Sequence, residues 1–134
     1  MQEIIGQTRE GWAKMVHDSK VDLWLALSGD RLVGVQGYWK NDPEADALLL
    51  PEHCVSLKIA GTRPEARRRG IARALMQIGL THSQRQGFFY CETDWRSANL
   101  LARHCWPKLE FAPYAYRLVR WLDDRISWAC GDHA

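Results

Sequence analysis

The stretch from Cys54 to Asp94 restricts the fold more than any other part of the chain. Cys54 to Ala60 alternates Val55, Leu57 and Ile59 with Ser56 and Lys58, the period-two pattern of a strand with one buried face. Gly61 ends that strand, and Pro64 biases Arg63 toward an extended backbone. Ile71, Ala74, Leu75 and Ile78 then recur at helical spacing through about Gln86, where Gly87 supplies a stop. Phe88 to Asp94, rich in aromatics, predicts a second strand. Strands joined by a helical crossover of this length run in the same direction, so these two form a parallel pair.

The flanking segments add antiparallel strands and helices. Leu23 to Leu27 and Arg31 to Trp39 flank Ser28-Gly29-Asp30, which holds the glycine that a tight hairpin turn needs. Gln2 to His17 fits a short amphipathic helix, weakened by Gly6 and Gly11. Lys40 to Glu52 is a polar loop. Ser97 is the expected N-cap of a helix carrying Leu100, Leu101, His104 and Cys105, and Tyr114 to Trp121 reads as a last strand. A short piece around Ile126 to Ala129 closes the tail. The fold class is α/β: a mixed, mostly antiparallel sheet with a central parallel pair, flanked by helices, in a single domain over residues 1–134.

One core suffices for 134 residues of which 46% are apolar. The seven tryptophans are spread evenly and read as core and rim anchors. A net charge of +2 is too small to argue for nucleic acid or membrane, and neither is expected as a partner. Cys54, Cys91, Cys105 and Cys130 show no metal or redox spacing, so reduced thiols and no metal are expected. The N-terminal residues lack a signal-peptide pattern and no apolar run approaches about 18 residues, which points to the cytoplasm.

Charge is concentrated where strand gives way to helix. Arg63, Arg67, Arg68, Arg69 and Arg73 stand against one acid, Glu65. A helix N-terminus offers unpaired N–H groups and the positive end of the macrodipole, a combination that holds phosphate. Gly70 and Ala72 let a backbone approach the oxygens closely, and the arginines add charge-assisted hydrogen bonds. A solvated helix end or a nucleic-acid patch would not need a small residue at that point. A dinucleotide loop is disfavoured because no G-x-G-x-x-G occurs.

The spacing R-x-x-G-x-A from Arg67 to Ala72 closely resembles the pyrophosphate-binding motif of the GCN5-related N-acetyltransferase (GNAT) family. A second signature of that family, N-x-x-A-x-x-x-aromatic, is matched from Asn99 to Trp106, and the resemblance covers about Val21 to Trp121. It implies acetyl-CoA as cosubstrate and a primary amine as acceptor. It further implies that the pantetheine arm pairs with Ile59, Ala60, Gly61 and Thr62 where the parallel strands splay. Arg67, Arg68, Arg69, Gly70, Ile71 and Ala72 would then hold the diphosphate, with Asn99 and Trp106 beside the cofactor. The amine would attack the thioester directly.

The strand Phe88 to Asp94 puts Glu92 and Asp94 on one face, and either could serve as the general base, with His53 a weaker candidate. Trp106 stands where many members carry a tyrosine that protonates the leaving thiolate, and an indole is no practical acid. Tyr114, or Tyr116, is the expected substitute. Glu110 stands where glycine is usual, and Pro107 should end or kink its helix early. The family opens with a strand and a helix, whereas about twenty residues precede Val21. That edge is expected to be covered by self-association as a homodimer. The alternative is a catalytically inactive acyl-CoA-binding module.

Overall fold

Val21 to Lys40 is rich in leucine, valine and aromatic residues interrupted by Gly29 and Asp30, a pattern that favours pairing with itself. In the computed structural model, which describes residues 10–41, 50–96 and 98–116, it forms β1 (Val21–Ser28) and β2 (Arg31–Lys40). The register runs from Val21 opposite Trp39 to Ser28 opposite Arg31, leaving a loop of Gly29 and Asp30. β3 (Cys54–Thr62) pairs antiparallel with β2, and β4 (Tyr90–Glu92) pairs parallel with β3. The sheet order is β1-β2-β3-β4. Helix α1 covers residues 10–16, α2 is Ile71–Arg85 and α3 is Leu100–Cys105. Short 3-10 turns lie at Pro64–Ala66 and Pro107–Leu109.

The expected mixed sheet and its parallel pair are therefore present, with several boundaries corrected. β4 is shorter than Phe88 to Asp94, because pairing with β3 covers only Cys54 with Tyr90, Val55 with Cys91 and Ser56 with Glu92. β3 extends to Thr62 and is buried on both faces from Cys54 to Leu57, so Ser56 is enclosed rather than solvent-facing. The N-cap of α3 is Asn99, whose Oδ1 accepts from Ala102 N at 3.1 Å; Ser97 lies outside the described residues. As expected, α3 stops just before Pro107, and Gly87 follows α2 with φ at 88°. Tyr114 to Tyr116 carry no strand, and the remainder of that expected strand, the tail, the start of the first helix and most of the polar loop lie outside the described residues. Trp106 is buried, Trp24 and Trp39 are half-buried, and Trp12 and Trp95 are exposed.

The core lies between α2 and the sheet. Tyr38, Val55, Leu57, Met76 and Trp106 form its centre, and Trp24, Leu80, Phe88, Cys91 and Phe111 pack around them. Burial, helped by the neighbouring Cys54 and Glu92, pushes the Cys91 thiol up to about 12, so this sulfur behaves as an apolar group. Two glycines set the distance between helix and sheet. A Cβ at Gly34 would stand 2.7 Å from Ile71 Cγ2, and one at Gly79 would stand 2.4 Å from Tyr38 Cε2. The Tyr38 ring cannot yield easily, since its hydroxyl donates to Gln36 Oε1 at 2.8 Å and the residue is fully buried.

Gly79→Ala tests this contact. Helix propensity alone would favour alanine by about 1 kcal/mol. Overpacking against a fixed ring costs roughly 1–3 kcal/mol and should prevail. Urea denaturation of the variant is therefore expected to show a lower midpoint than wild type; an unchanged or higher midpoint would contradict the close seat of α2.

Candidate active site

The parallel strands part immediately after three residue pairs. β3 continues its ladder with β2 as far as Gly34 opposite Thr62, while its pairing with β4 ends at Ser56 opposite Glu92. A register shift at Gly37/Tyr38 leaves Lys58 as an extra residue in β3, a bulge that bends the strand where the parting begins. Thr93 Oγ1 donates to Leu57 O at 2.9 Å and so occupies the first carbonyl beyond the paired section. Past it, Ile59, Ala60, Gly61 and Thr62 have β2 on one side and, among the described residues, no strand on the other.

The freed edge leads directly into the arginine-rich turn. Arg63 N donates to Val33 O at 2.9 Å and Arg63 Nε to Leu32 O at 2.6 Å, pinning the start of the turn to β2. Ala66 is buried, and Arg67 Nε donates back to Thr62 O at 3.2 Å. Arg68 and Gly70 both take left-handed backbone, with φ at 60° and 80°. A Cβ on Gly70 would meet nothing within 4 Å, so its requirement is conformational and the space beside it is open. Ala74 N is the first amide of the helix to bond back, to Gly70 O at 2.9 Å. From Arg68 to Arg73 the backbone N–H groups have no acceptor among the described residues. Such a run of free amides has the chemistry to hold an anion.

The arginines divide by role. Arg63 and Arg67 are tied to carbonyls, and Arg73 donates to Lys108 O at 3.0 Å, joining the start of α2 to the turn after α3. Arg68 and Arg69 have no side-chain partner among the described residues and are exposed. Glu65 pairs with Arg31 at 2.6 Å, both ends well exposed, an interaction worth about 0–1 kcal/mol. Its carboxyl is held below the usual range first by its own backbone N–H, with desolvation opposing, and further by Arg31, Arg63 and Arg67. The local field is thus positive.

Of the carboxylates, Glu92 stands at the last parallel pair, half-buried, and accepts from the Ser56 hydroxyl. Ser56 Oγ also lies 2.9 Å from Asn41 Oδ1. Asp94 lies past the end of β4 and is exposed; neither acid forms an ion pair among the described residues. His53 precedes β3 at the end away from the splay, where its carbonyl accepts from Phe89 N at 2.8 Å and Tyr90 N at 3.2 Å. Asn99 uses its side chain as a helix cap. Trp106 is in the core, 5.6 Å from the Phe111 ring, and its Nε1 has no partner among the described residues. Tyr114 is three-quarters exposed. The structure therefore makes the free β3 edge continuous with the turn, sets Glu92 where the parallel pairing ends, and leaves Tyr114 without a hydrogen bond to the described residues.

Sequence reasoning missed Gln36, Asn41, Ser56 and Thr93. Gln36 is 1% exposed, and its Nε2 donates to Ala72 O at 3.0 Å, fixing the first turn of α2 to the sheet. A glutamine within the apolar run Val33 to Trp39 was the available signal. Among the described residues no group of His, Cys, Asp and Glu is arranged to hold a metal.

A coenzyme A molecule carries a diphosphate at one end of an extended, amide-bearing arm. A cradle of free N–H groups continuous with a free strand edge fits that chemistry. Comparison with known proteins identifies the fold and the family. The model of the acetyltransferase (GNAT) family matches residues 3–111. Among solved structures, apo aminoglycoside 6'-N-acetyltransferase AAC(6')-IG from Acinetobacter haemolyticus aligns with TM-score 0.76 at 12% identity, over 88% of this chain and 81% of that one. AAC(6')-Iy in complex with CoA aligns with TM-score 0.71 at 15% identity, over 91% of this chain and 89% of that one. A transcriptional regulator from Bacillus halodurans C-125 aligns with TM-score 0.68 at 15% identity, over 84% of this chain and 73% of that one. Identities this low show a common fold alone. No curated protein matches the chain. With the family model spanning most of its length and the splayed sheet and turn in place, the chain belongs to the GNAT family of acetyltransferases.

Proposed function

We propose that the protein transfers an acetyl group from acetyl-CoA to a primary amine by direct attack of the amine on the thioester. The observation that carries this reading is the continuity of the free β3 edge with the unpaired amides from Arg68 to Arg73. Ile59 to Thr62 would pair with the pantetheine arm as an added strand, and Arg67 to Ala72 would hold the diphosphate, with Asn99 and Trp106 alongside. Glu92 is the favoured general base because it stands where the strands part. Asp94 is the reserve candidate, and Tyr114 the candidate donor to the leaving thiolate.

Positioning of amine and thioester would supply most of the rate, up to about 7–11 kcal/mol. The base contributes about 10²–10⁴-fold. Two of the solved structures with this fold are aminoglycoside N-acetyltransferases, which makes polycationic amines the first acceptors to try. Free Cys54, Cys91 and Cys105 support a reducing compartment, the cytoplasm. Exposed Leu25 and Leu27 on β1, an edge strand among the described residues, support a homodimer. Sedimentation over a wide concentration range is expected to show a dimer, and a monomer throughout would remove that part of the reading.

The assay is release of free thiol from acetyl-CoA with a panel of aminoglycosides, polyamines and peptide N-termini. Turnover with at least one class is expected. Binding of CoA with no thiol release from any acceptor would favour an inactive acyl-CoA-binding module instead. Glu92→Gln should lower kcat by about 10²-fold or more with CoA affinity retained, as general-base loss requires; wild-type kcat would transfer the role to Asp94. Gly70→Ala should weaken CoA binding in calorimetry at least about tenfold, since its Cβ enters the open space and its φ is unfavourable to an L side chain. Unchanged affinity would sink the cradle.

A further inference from the structure

On the sheet face opposite the Tyr38–Leu57 core, the Ser56 hydroxyl is placed between two oxygens, Asn41 Oδ1 at 2.9 Å and a Glu92 carboxylate oxygen. A serine has one hydroxyl proton and cannot donate to both. Ser56 is 1% exposed, so this is a buried conflict. Asn41 Nδ2, also buried, has no partner among the described residues. Half a turn of the Asn41 amide resolves both faults. The oxygen and nitrogen of an amide are nearly identical in shape, and which one faces a neighbour is decided by the hydrogen-bond network.

Magnitude decides where the single serine proton goes. A hydrogen bond to a charged carboxylate is roughly twice as strong as one to a neutral amide oxygen. Ser56 therefore donates to Glu92, and Asn41 must be the donor to Ser56. The neighbouring Cys54 Sγ donates to Val55 O at 3.5 Å and so makes no demand on the Asn41 oxygen.

We propose that Asn41 Nδ2 donates to Ser56 Oγ and Ser56 Oγ donates to Glu92, a one-way relay that fixes the carboxylate where β3 and β4 part. Asn41 and Ser56 are positioning residues. Their catalytic importance rests on the reading of Glu92 as the base, whereas the relay itself rests on the contacts around Ser56.

The test uses the full chain, labelled with nitrogen-15, and the variants Ser56→Ala, Ser56→Thr and Asn41→Asp. Asn41 and Asn99 are the asparagines of the chain, so the Asn41 side-chain NH₂ signals are identified by their loss in Asn41→Asp. In wild type the two Asn41 amide protons should differ widely in shift, one of them exchanging slowly. In Ser56→Ala that difference should collapse, and in Ser56→Thr, which keeps the hydroxyl, it should return. An Asn41 pair unchanged by Ser56→Ala overturns the relay.

Kinetics with acetyl-CoA and an acceptor found in the panel supply the second arm. An aspartate can only accept, so Asn41→Asp should lower kcat about tenfold, like Ser56→Ala, with KM for acetyl-CoA unchanged. If Asn41 instead accepts from Ser56, the near-isosteric Asn41→Asp keeps that bond, and wild-type kcat in this variant alongside an impaired Glu92→Gln overturns the proposal. Thermal melting of each variant separates these effects from misfolding. If the amide signals behave as expected while Glu92→Gln turns over normally, the relay stands and the base assignment falls.

Discussion

A glycine on the helix and a glycine on the strand let α2 lie on β2 closely enough for Gln36 Nε2 to reach the Ala72 carbonyl at 3.0 Å. That contact ties a sheet strand to the first turn of the helix, and through Tyr38 the same glutamine is locked into the core. The helix start is therefore fixed relative to the end of β3, and the unpaired amides between them keep a defined aim. Arg73, bonded to Lys108 O, carries the constraint on to the chain after α3. Larger residues at Gly34 or Gly79 would lift the helix and displace its unpaired N-terminal amides with it.

Much of this architecture was legible in the order of patterns. Period-two alternation, a helical repeat and Gly87 located β3, α2 and the parallel relation of β3 to β4. The arginine-glycine turn fell where the sequence put it. What escaped reading was information carried by pairing. The brevity of β4 depends on Thr93 turning its hydroxyl to Leu57 rather than continuing the ladder, and nothing in the aromatic run from Phe88 announces it. Ser56 looked solvent-facing because polar residues alternate with apolar ones there. It is enclosed because Glu92 and Asn41 come to it from two separate segments. The cap of α3 was misplaced by two residues for a similar reason: serine and asparagine both suit the role, and backbone geometry chose Asn99.

Backbone conformation also explains a departure from the family pattern. Glu110 stands where the family resemblance implies glycine, and its φ is 68°. The left-handed turn after Pro107–Leu109 is retained although the residue type suited to it is absent. Arg68 carries a comparable backbone strain, with φ at 60°. In both cases the neighbours hold the geometry: Glu110 N bonds to Pro107 O and Phe111 N to Trp106 O, while Arg68 is bracketed by the anchored Arg67 and by Gly70. The turn keeps a charged guanidinium at a site where glycine would be more comfortable.

The Thr93 hydroxyl has a consequence for alignment. By occupying the Leu57 carbonyl, it withdraws from competition the acceptor that an incoming extended chain would meet first. A cofactor arm pairing with this side of β3, as proposed, would then begin its ladder beyond the bulged Lys58. A side chain that forms no part of any binding motif would thereby act as the end-stop for that arm.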